Sequence, residues 1–307
     1  MSDERHILLV SHTGRRDSID AALEVCDILH SAGLTPVMPF DEYADIRRAE
    51  ASVGAVDILG VDVQAGELEV VIVLGGDGTI LRAAELVRGT PAPIVGVNLG
   101  HVGFLAESER DGLSETVHRA LSGDYHVEER TTLQVDIVVG HQTIWSSWAV
   151  NEATVEKASR ERMLEVVMEV DGRPLTSFGC DGVVMSTPTG STAYSFSGGG
   201  PVVWPAVDAL LMVPLSAHAL FARPLVVGPD STLAVEVLRR TSGVGVVWCD
   251  GRRAHDLPPG ARVEVRRSSE PMRVARLRDA PFTDRLVAKF QLPTSGWRGP
   301  QRDEDSR

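Results

Sequence analysis

Lysine is almost missing from this 307-residue chain. Lys157 and Lys289 are its two copies, so 28 of the 30 basic residues are arginine, and a single arginine carries little functional information. Neither lysine lies near a glycine loop and no GxxxxGKS or GxxxxGKT run occurs, which excludes a P-loop NTPase. No GxGxxG follows a strand, so the dehydrogenase fingerprint is missing too. HExxH and GxSxG are absent, and the nine histidines show no metal-ligand spacing, so no resident metal site is expected. Positive charge is in deficit: 30 basic against 43 acidic residues leave a net charge of −13. That argues against nucleic acid or an anionic membrane as the main partner. Cysteine is scarce. Cys26, Cys180 and Cys249 are odd in number and widely spaced, which excludes a full disulfide framework and a CxxC knuckle and suits a reducing cytosol. Long apolar runs are lacking. The most apolar region, Ala209 to Val227, is broken by Pro214, His218, Arg223 and Pro224, so it is no membrane span. Met1-Ser2-Asp3-Glu4-Arg5 precedes only a short apolar run, which is not a signal peptide, and the expected location is the cytoplasm.

What is present is a soluble globular composition, 43% apolar and 24% charged, long enough for two domains. The first part alternates strands and helices. Ile7 to Val10 reads as a strand. A helix is expected from Asp17, with Ile19, Ala22, Leu23, Cys26 and Leu29 at helical spacing and Gly33 closing it. Further strands are expected at Leu34 to Met38, near Val56 to Leu59, at 68–74 and at Pro93 to Asn98. Helices are expected around Tyr43 to Ala51, from Thr79 to about Arg88, and from Asp111 to Leu121. This is the pattern of a doubly wound, Rossmann-like α/β domain, taken as residues 1–129, with its ligand site beyond the carboxyl ends of the strands. From about Arg130 the chain turns to strands with period-two alternation: Thr131 to Val139, Thr143 to Val155, Met163 to Val170, Gly182 to Ser186, Thr232 to Val237, Val244 to Cys249 and Arg262 to Val265. Asp171-Gly172 reads as a hairpin turn. Residues 130–278 are therefore expected to form a β-rich, sandwich-like domain. In 279–307, the amphipathic stretch Phe282 to Phe290 is expected to pack back on the α/β domain, with a disordered tail after Trp297.

Three stretches carry chemistry. Val70-Val71-Ile72-Val73-Leu74 suits a strand buried on both faces, and Gly75-Gly76-Asp77-Gly78 follows it directly, before a helix start. Glycines let the backbone approach a ligand closely, and the free N–H groups of a helix start suit phosphate. The same residues also suit a tight turn with Asp77 as N-cap. A carboxylate beside a phosphate needs a task, such as accepting a hydroxyl proton or meeting a metal ion. A second glycine loop, Asn98-Leu99-Gly100-His101-Val102-Gly103-Phe104-Leu105, follows at the same sheet edge. Asn151-Glu152 places an amide and a carboxylate side by side inside an apolar run, suited to ribose hydroxyls or a carboxamide edge, or else to a solvent-facing strand end. The stretch from Asp181 through Ser186-Thr187-Pro188-Thr189-Gly190-Ser191-Thr192-Ala193-Tyr194 to Pro201 crowds hydroxyls and N–H groups into one place. Its Tyr194 is able to lie against a base; a polar turn is the other reading, and a length of about twenty residues suits it less well. Cys249-Asp250-Gly251-Arg252 reads as a hairpin turn rather than a site.

Taken in order, these motifs resemble one family, the NAD kinases, over roughly residues 70 to 225, with His218-Ala219-Leu220 and Arg223-Pro224-Leu225 extending the match. His12-Thr13-Gly14-Arg15 and the turn at Cys249 to Arg253 look similar to actinobacterial members. The glycine–aspartate motif alone is shared with phosphofructokinases and lipid kinases; the Ser-Thr-Pro-Thr-Gly-Ser-Thr-Ala-Tyr stretch is the specific one. The resemblance implies ATP-dependent phosphorylation of NAD at the 2′-hydroxyl of its adenosine ribose, giving NADP. ATP would be the donor, with polyphosphate as an alternative, and Mg2+ would be held mainly by ATP. It also implies a homodimer or homotetramer. It makes Asp77 the catalytic carboxylate facing the ribose, with Gly78 beside it and Gly75 and Gly76 on the ATP phosphates. Arg82 and Arg162 would contact the dinucleotide, although family members often carry His at the position of Arg162. Asn151 and Glu152 would hold ribose hydroxyls and Asp181 would face the nicotinamide end. Thr192, Ala193, Tyr194, Ser195, Phe196 and Ser197 would line the pocket. Two rivals remain: a lipid or sugar kinase with the same glycine turn, and a catalytically silent NAD(P) sensor.

Overall fold

The computed structural model describes residues 5–49, 52–100, 103–158, 163–241, 243–278 and 281–294. Arg162, the middle of the 98–105 loop, the end of the helix expected to reach Ala51 and the tail after Trp297 lie outside the described residues. The chain divides into two units, one built from residues up to Glu128 and from Arg273 onward, the other from Glu129–Met272.

The first unit opens with β1 (His6–Ser11), α1 (Arg16–Ser31), β2 (Pro36–Met38), α2 (Phe40–Arg48) and β3 (Asp57–Ile58). Then follow β4 (Leu68–Leu74), α3 (Asp77–Leu86), β5 (Ile94–Asn98), β6 (Ser108–Glu109), α4 (Leu113–Ser122) and β7 (His126–Arg130). Of the helical spacing read in α1, Ile19, Ala22, Cys26 and Leu29 are buried, Leu23 is half-buried, and Val25, not read, is buried with them. Gly33 ends the helix at a φ of 75°, where a side chain would be strained. Val70 to Leu74 of β4 are all fully buried, as a strand covered on both faces requires. Each such side chain contributes about 1.5–3 kcal/mol relative to exposure. The sheet order is β3-β2-β1-β4-β5, with parallel pairing throughout this run. Strand order therefore reverses between β1 and β4, and doubly wound sheets bind ligands at the carboxyl ends beside such a reversal. The glycine turn leaves β4 at that place.

The second unit is antiparallel. Its strands are β8 (Leu133–Val139), β9 (Gln142–Ala149), β10 (Glu152–Lys157), β11 (Leu164–Val170), β12 (Arg173–Cys180) and β13 (Gly182–Ser186). After the short helix α5 (Tyr194–Ser197) come β14 (Leu210–Leu215), β15 (Leu225–Val227), β16 (Leu233–Val237), β17 (Gly245–Cys249), β18 (Arg253–Leu257) and β19 (Ala261–Arg267). They form two six-stranded sheets, β15-β14-β13-β10-β17-β18 and β12-β11-β16-β19-β8-β9. Inward residues of both sheets, among them Val135, Val166, Val183, Met185, Met212 and Val247, share one core. The Asp171-Gly172 and Asp250-Gly251 hairpins have φ of 52° and 71°, and 52° and 64°; two positive values match the twist of the flanking strands. The expected single strand from Thr143 to Val155 is in fact two: the chain breaks at Val150-Asn151 and β9 and β10 join different sheets. The broken apolar region supplies β14 and β15, and Pro214 lies beyond the part of β14 that pairs with β15, where no ladder bond is needed on that side. No helix among the described residues is long and apolar enough to cross a membrane.

Finally β20 (Met272–Arg276) returns the chain to the first sheet beside β5, in parallel, and α6 (Phe282–Phe290) follows.

Candidate active site

In the first unit the site begins where β4 stops. Gly75 is buried and its N–H donates to the carbonyl of Val97 at 2.9 Å. A Cβ there would lie 2.4 Å from Oγ1 of Thr79, so only glycine allows the turn to close this tightly. Gly76, not Asp77, is the N-cap of α3, and the helix starts two residues before the expected Thr79. Asp77 is thus the first helical residue. Gly76 and Gly78 are exposed, and a Cβ on either would meet open space. The first turn of α3 therefore presents N–H groups and no side-chain bulk to whatever sits above it, the arrangement that suits phosphate oxygens.

The carboxylate of Asp77 is held by the second glycine loop. Phe104 N–H donates to Oδ2 at 3.1 Å and Leu105 N–H to Oδ1 at 3.0 Å. A Cβ on Gly103 would come within 2.4 Å of Oδ1, so that glycine is what lets the loop approach. Each carboxylate oxygen accepts more than one hydrogen bond, so Asp77, half-buried, keeps capacity for a further donor. Arg82, expected on the dinucleotide, is placed otherwise: its guanidinium pairs with Asp41 and with Glu42, both at 2.7 Å. Glu42 is buried, accepts the Ser11 N–H at 2.6 Å, and has its pKa pushed up to about 7 by desolvation, against the pull of the Ser11 N–H and of Arg82. Asn98 closes the end of β5 by an Asx turn, its Oδ1 accepting from Gly100 N–H at 3.3 Å.

In the second unit the structure brings two sequence motifs together. The Val150-Asn151 break packs against Thr187: Oγ1 of Thr187 donates to the Val150 carbonyl at 2.6 Å, and its N–H donates to the Asn151 carbonyl at 2.9 Å. A Cβ on Gly190 would stand 2.0 Å from that same Asn151 oxygen, so the Thr-Gly-Ser turn can lie here only because residue 190 is glycine. From the other side the carboxylate of Asp250 accepts N–H groups of Val150 at 2.9 Å and Asn151 at 2.7 Å, and of Glu152 at a longer 3.4 Å. Arg253 pairs with Asp250 at 3.0 Å, donates to the Trp148 carbonyl at 2.8 Å, and stacks over the Trp148 ring at 4.6 Å. Asp250 is the residue of this arrangement that sequence reading missed. Its turn geometry was legible, but the three amides it holds lie about a hundred residues earlier.

Glu152 is buried, with Oε2 out of solvent and without a hydrogen-bond partner. Burial first, then the Asp250 charge, push its pKa up to about 8, while the N–H of Tyr194 pulls the other way. At neutral pH this carboxyl is largely protonated and can donate as well as accept. Asp181 is half-buried and paired with Lys157, whose hydrogen bond holds its carboxyl below the usual range. Tyr194, Phe196 and Ser197 are exposed and Thr192 and Ala193 half-buried. Ser195, expected to line a pocket with them, is fully buried: a Cβ on Gly200 would sit 2.6 Å from its Oγ. Among the described residues no three His, Cys, Asp or Glu side chains form a metal-binding group.

Comparison with known proteins agrees with this layout. A family model described as the ATP-NAD kinase N-terminal domain matches residues 7–125, and one described as the ATP-NAD kinase C-terminal domain matches 150–277. A protein named NAD kinase from Leifsonia xyli subsp. xyli is 67% identical over 300 residues, which cover 98% of this chain and 99% of that one. Relatives of that name at 49–67% identity are all actinobacterial. In fold the chain is similar to yeast NADH kinase complexed with NADH, with a TM-score of 0.84 and 21% identity over 95% of this chain and 89% of that one. It is also similar to an NAD kinase from Archaeoglobus fulgidus in complex with ATP, with a TM-score of 0.66 and 23% identity over 94% and 98% of the two chains.

Proposed function

The chain belongs to the NAD kinase family, and on that premise we propose that Asp77 takes or orients the hydroxyl proton in its phosphoryl transfer. The reaction moves the γ-phosphoryl of ATP to the 2′-hydroxyl of the adenosine ribose of NAD, giving NADP and ADP. The observation that carries the assignment is the pair of loop amides that fixes the Asp77 carboxylate at a helix start open to phosphate. Phosphoryl transfer asks a protein mainly for positioning and charge stabilisation. Gly76 and the free N–H groups at the start of α3 supply the phosphate side, on a turn that Gly75, its own N–H spent on the Val97 carbonyl, allows to close. Magnesium, held mainly by ATP, would offset the charge between Asp77 and the phosphates. Gly78 gives the ribose room beside Asp77.

Asn151 and Glu152 take ribose hydroxyls; a hydroxyl both donates and accepts, so the Glu152 carboxyl can meet one in either protonation state. Asp181, tethered by Lys157, takes the nicotinamide end, and Thr192, Ala193, Tyr194, Phe196 and Ser197 line the dinucleotide site. Ser195 is assigned to packing. Arg82, paired with Asp41 and Glu42, acts through α2 unless NAD displaces Asp41, and Arg162 is assigned to the dinucleotide by resemblance alone. We assign the enzyme to the cytoplasm as a homodimer or homotetramer; its buried, unpaired Cys26, Cys180 and Cys249 support a reducing location.

The test is to offer Mg-ATP with NAD, diacylglycerol or fructose 6-phosphate in separate reactions. Phosphate appearing at the 2′ position of NAD, and on neither of the others, is the expected result. NAD binding without any NADP formed would favour the sensor reading instead.

A further inference from the structure

The loop that holds Asp77 is itself held, and by the C-terminal end of the chain. Its three successive carbonyls each accept from an arginine that lies more than 170 positions later. Nη1 of Arg285 donates to the Phe104 carbonyl at 3.1 Å and to the Ala106 carbonyl at 2.6 Å, and Nη1 of Arg276 reaches the Leu105 carbonyl at 3.4 Å. Glu107, the next residue, is buried in the same network. Its carboxylate accepts Arg285 at 3.1 Å, Arg276 at 3.0 Å and the N–H groups of Leu277 and Arg278 at 3.0 and 3.1 Å. The ring of Phe104 packs between those of Phe282 and Phe290, with centroids 5.8 and 5.9 Å away, so α6 turns toward this loop the face that carries Arg285. The peptide group that joins Phe104 to Leu105 is therefore polarised from both ends, with the Arg285 guanidinium on its oxygen and the Asp77 carboxylate on its N–H. Aligned groups of this kind strengthen one another and lock the peptide planes.

We propose that Arg285 on α6 is a positioning residue for the reaction: by tying the Phe104 and Ala106 carbonyls it fixes the Phe104–Leu105 peptide and the loop around it, so that the Phe104 and Leu105 N–H groups hold Asp77 in the orientation that meets the ribose hydroxyl. This deepens the reading above and rests on Asp77 being the catalytic carboxylate. It touches neither substrate, so its loss reaches turnover only through Asp77. A displacement of the order of 1 Å at such a group is enough to cost about a hundredfold.

The experiment compares Arg285→Ala, Arg285→Lys, Asp77→Asn and, as a control, Arg278→Ala, whose side chain pairs with Glu115 at the surface. In each full-length enzyme kcat, KM for NAD and ATP, and hydrogen exchange at the Phe104 and Leu105 amides are measured. The expected result for Arg285→Ala is a fall in kcat of about ten- to a hundredfold with both KM values within about twofold, together with faster exchange at those two amides. Arg285→Lys, which keeps the charge but cannot reach both carbonyls and Glu107 at once, falls between; it carries the test if the alanine variant does not fold. Arg278→Ala matches the parent. Unchanged exchange and unchanged kcat in the Arg285 variants, with Asp77→Asn inactive, overturns the brace and leaves Asp77 standing. An active Asp77→Asn overturns the catalytic reading, and the amide exchange then still reports whether Arg285 holds the loop.

Discussion

At the end of β4 a loop holds a carboxylate; at the start of β10 a carboxylate holds a loop. Asp77 is half-buried and receives two amides, from Phe104 and Leu105. Asp250 is buried and receives amides from Val150, Asn151 and Glu152. The bond type is the same, and burial decides what it is for. The half-buried carboxylate of Asp77 keeps part of its surface accessible. The oxygens of Asp250 are taken by the turn amides and by Arg253, and what it fixes is the loop that carries Asn151 and Glu152. The first arrangement is suited to chemistry and the second to binding. A carboxylate accepting backbone N–H groups therefore does not by itself mark a catalytic group; its access to solvent must be read with it.

Variants can break this contrast, and ranked by effect on the scaffold the largest is Asp250→Ala. It leaves amides of the Val150–Glu152 turn without an acceptor and takes from Arg253 its paired anion, at a cost of about 3–5 kcal/mol. Urea unfolding should show it, and Asp250→Asn, which keeps an acceptor oxygen, should lose less. Next is Glu152→Gln, whose effect depends on pH. The folded pKa of Glu152 is raised to about 8 from an ordinary 4.5, so the folded state binds more protons between those values and wild-type stability falls as pH rises through them. The glutamine variant has no such proton to lose. Relative to its difference from wild type near pH 5, it should gain roughly 3–4 kcal/mol by pH 8, and a difference that shrinks with rising pH would contradict the assignment. Smallest on the scaffold is Gly103→Ala. Its Cβ would strike Oδ1 of Asp77, so the carboxylate or the loop must move. Turnover should drop about tenfold while urea unfolding shifts by about 1 kcal/mol, the pattern expected of a site held in position.

Much of this was legible in the sequence, and the limits have a common cause. The buried strand and its glycine turn were legible because periodicity, apolar run and turn chemistry are local. The alternative that made Asp77 an N-cap stayed open in the sequence because nothing local shows that its carboxylate is taken by Phe104 and Leu105 and that Gly76 is the cap. Thr143 to Val155 reads as one strand because its alternation continues through Val150. The break there is imposed by Asp250 and Thr187, which lie far off along the chain. β14 was hidden by Pro214, which the strand tolerates because β15 stops short of it. Arg285 had no signal in a chain with 28 arginines; only its contacts set it apart.

The central claim is that the β4 carboxylate does chemistry and is not needed for binding. Asp77→Asn tests it most directly, with NAD affinity measured by calorimetry and kcat measured with saturating Mg-ATP. The account predicts a folded protein whose affinity for NAD lies within about twofold of wild type and whose kcat has fallen about 10²–10⁴-fold. A variant that turns over near the wild-type rate, or one that loses NAD affinity in proportion to its activity, would contradict it.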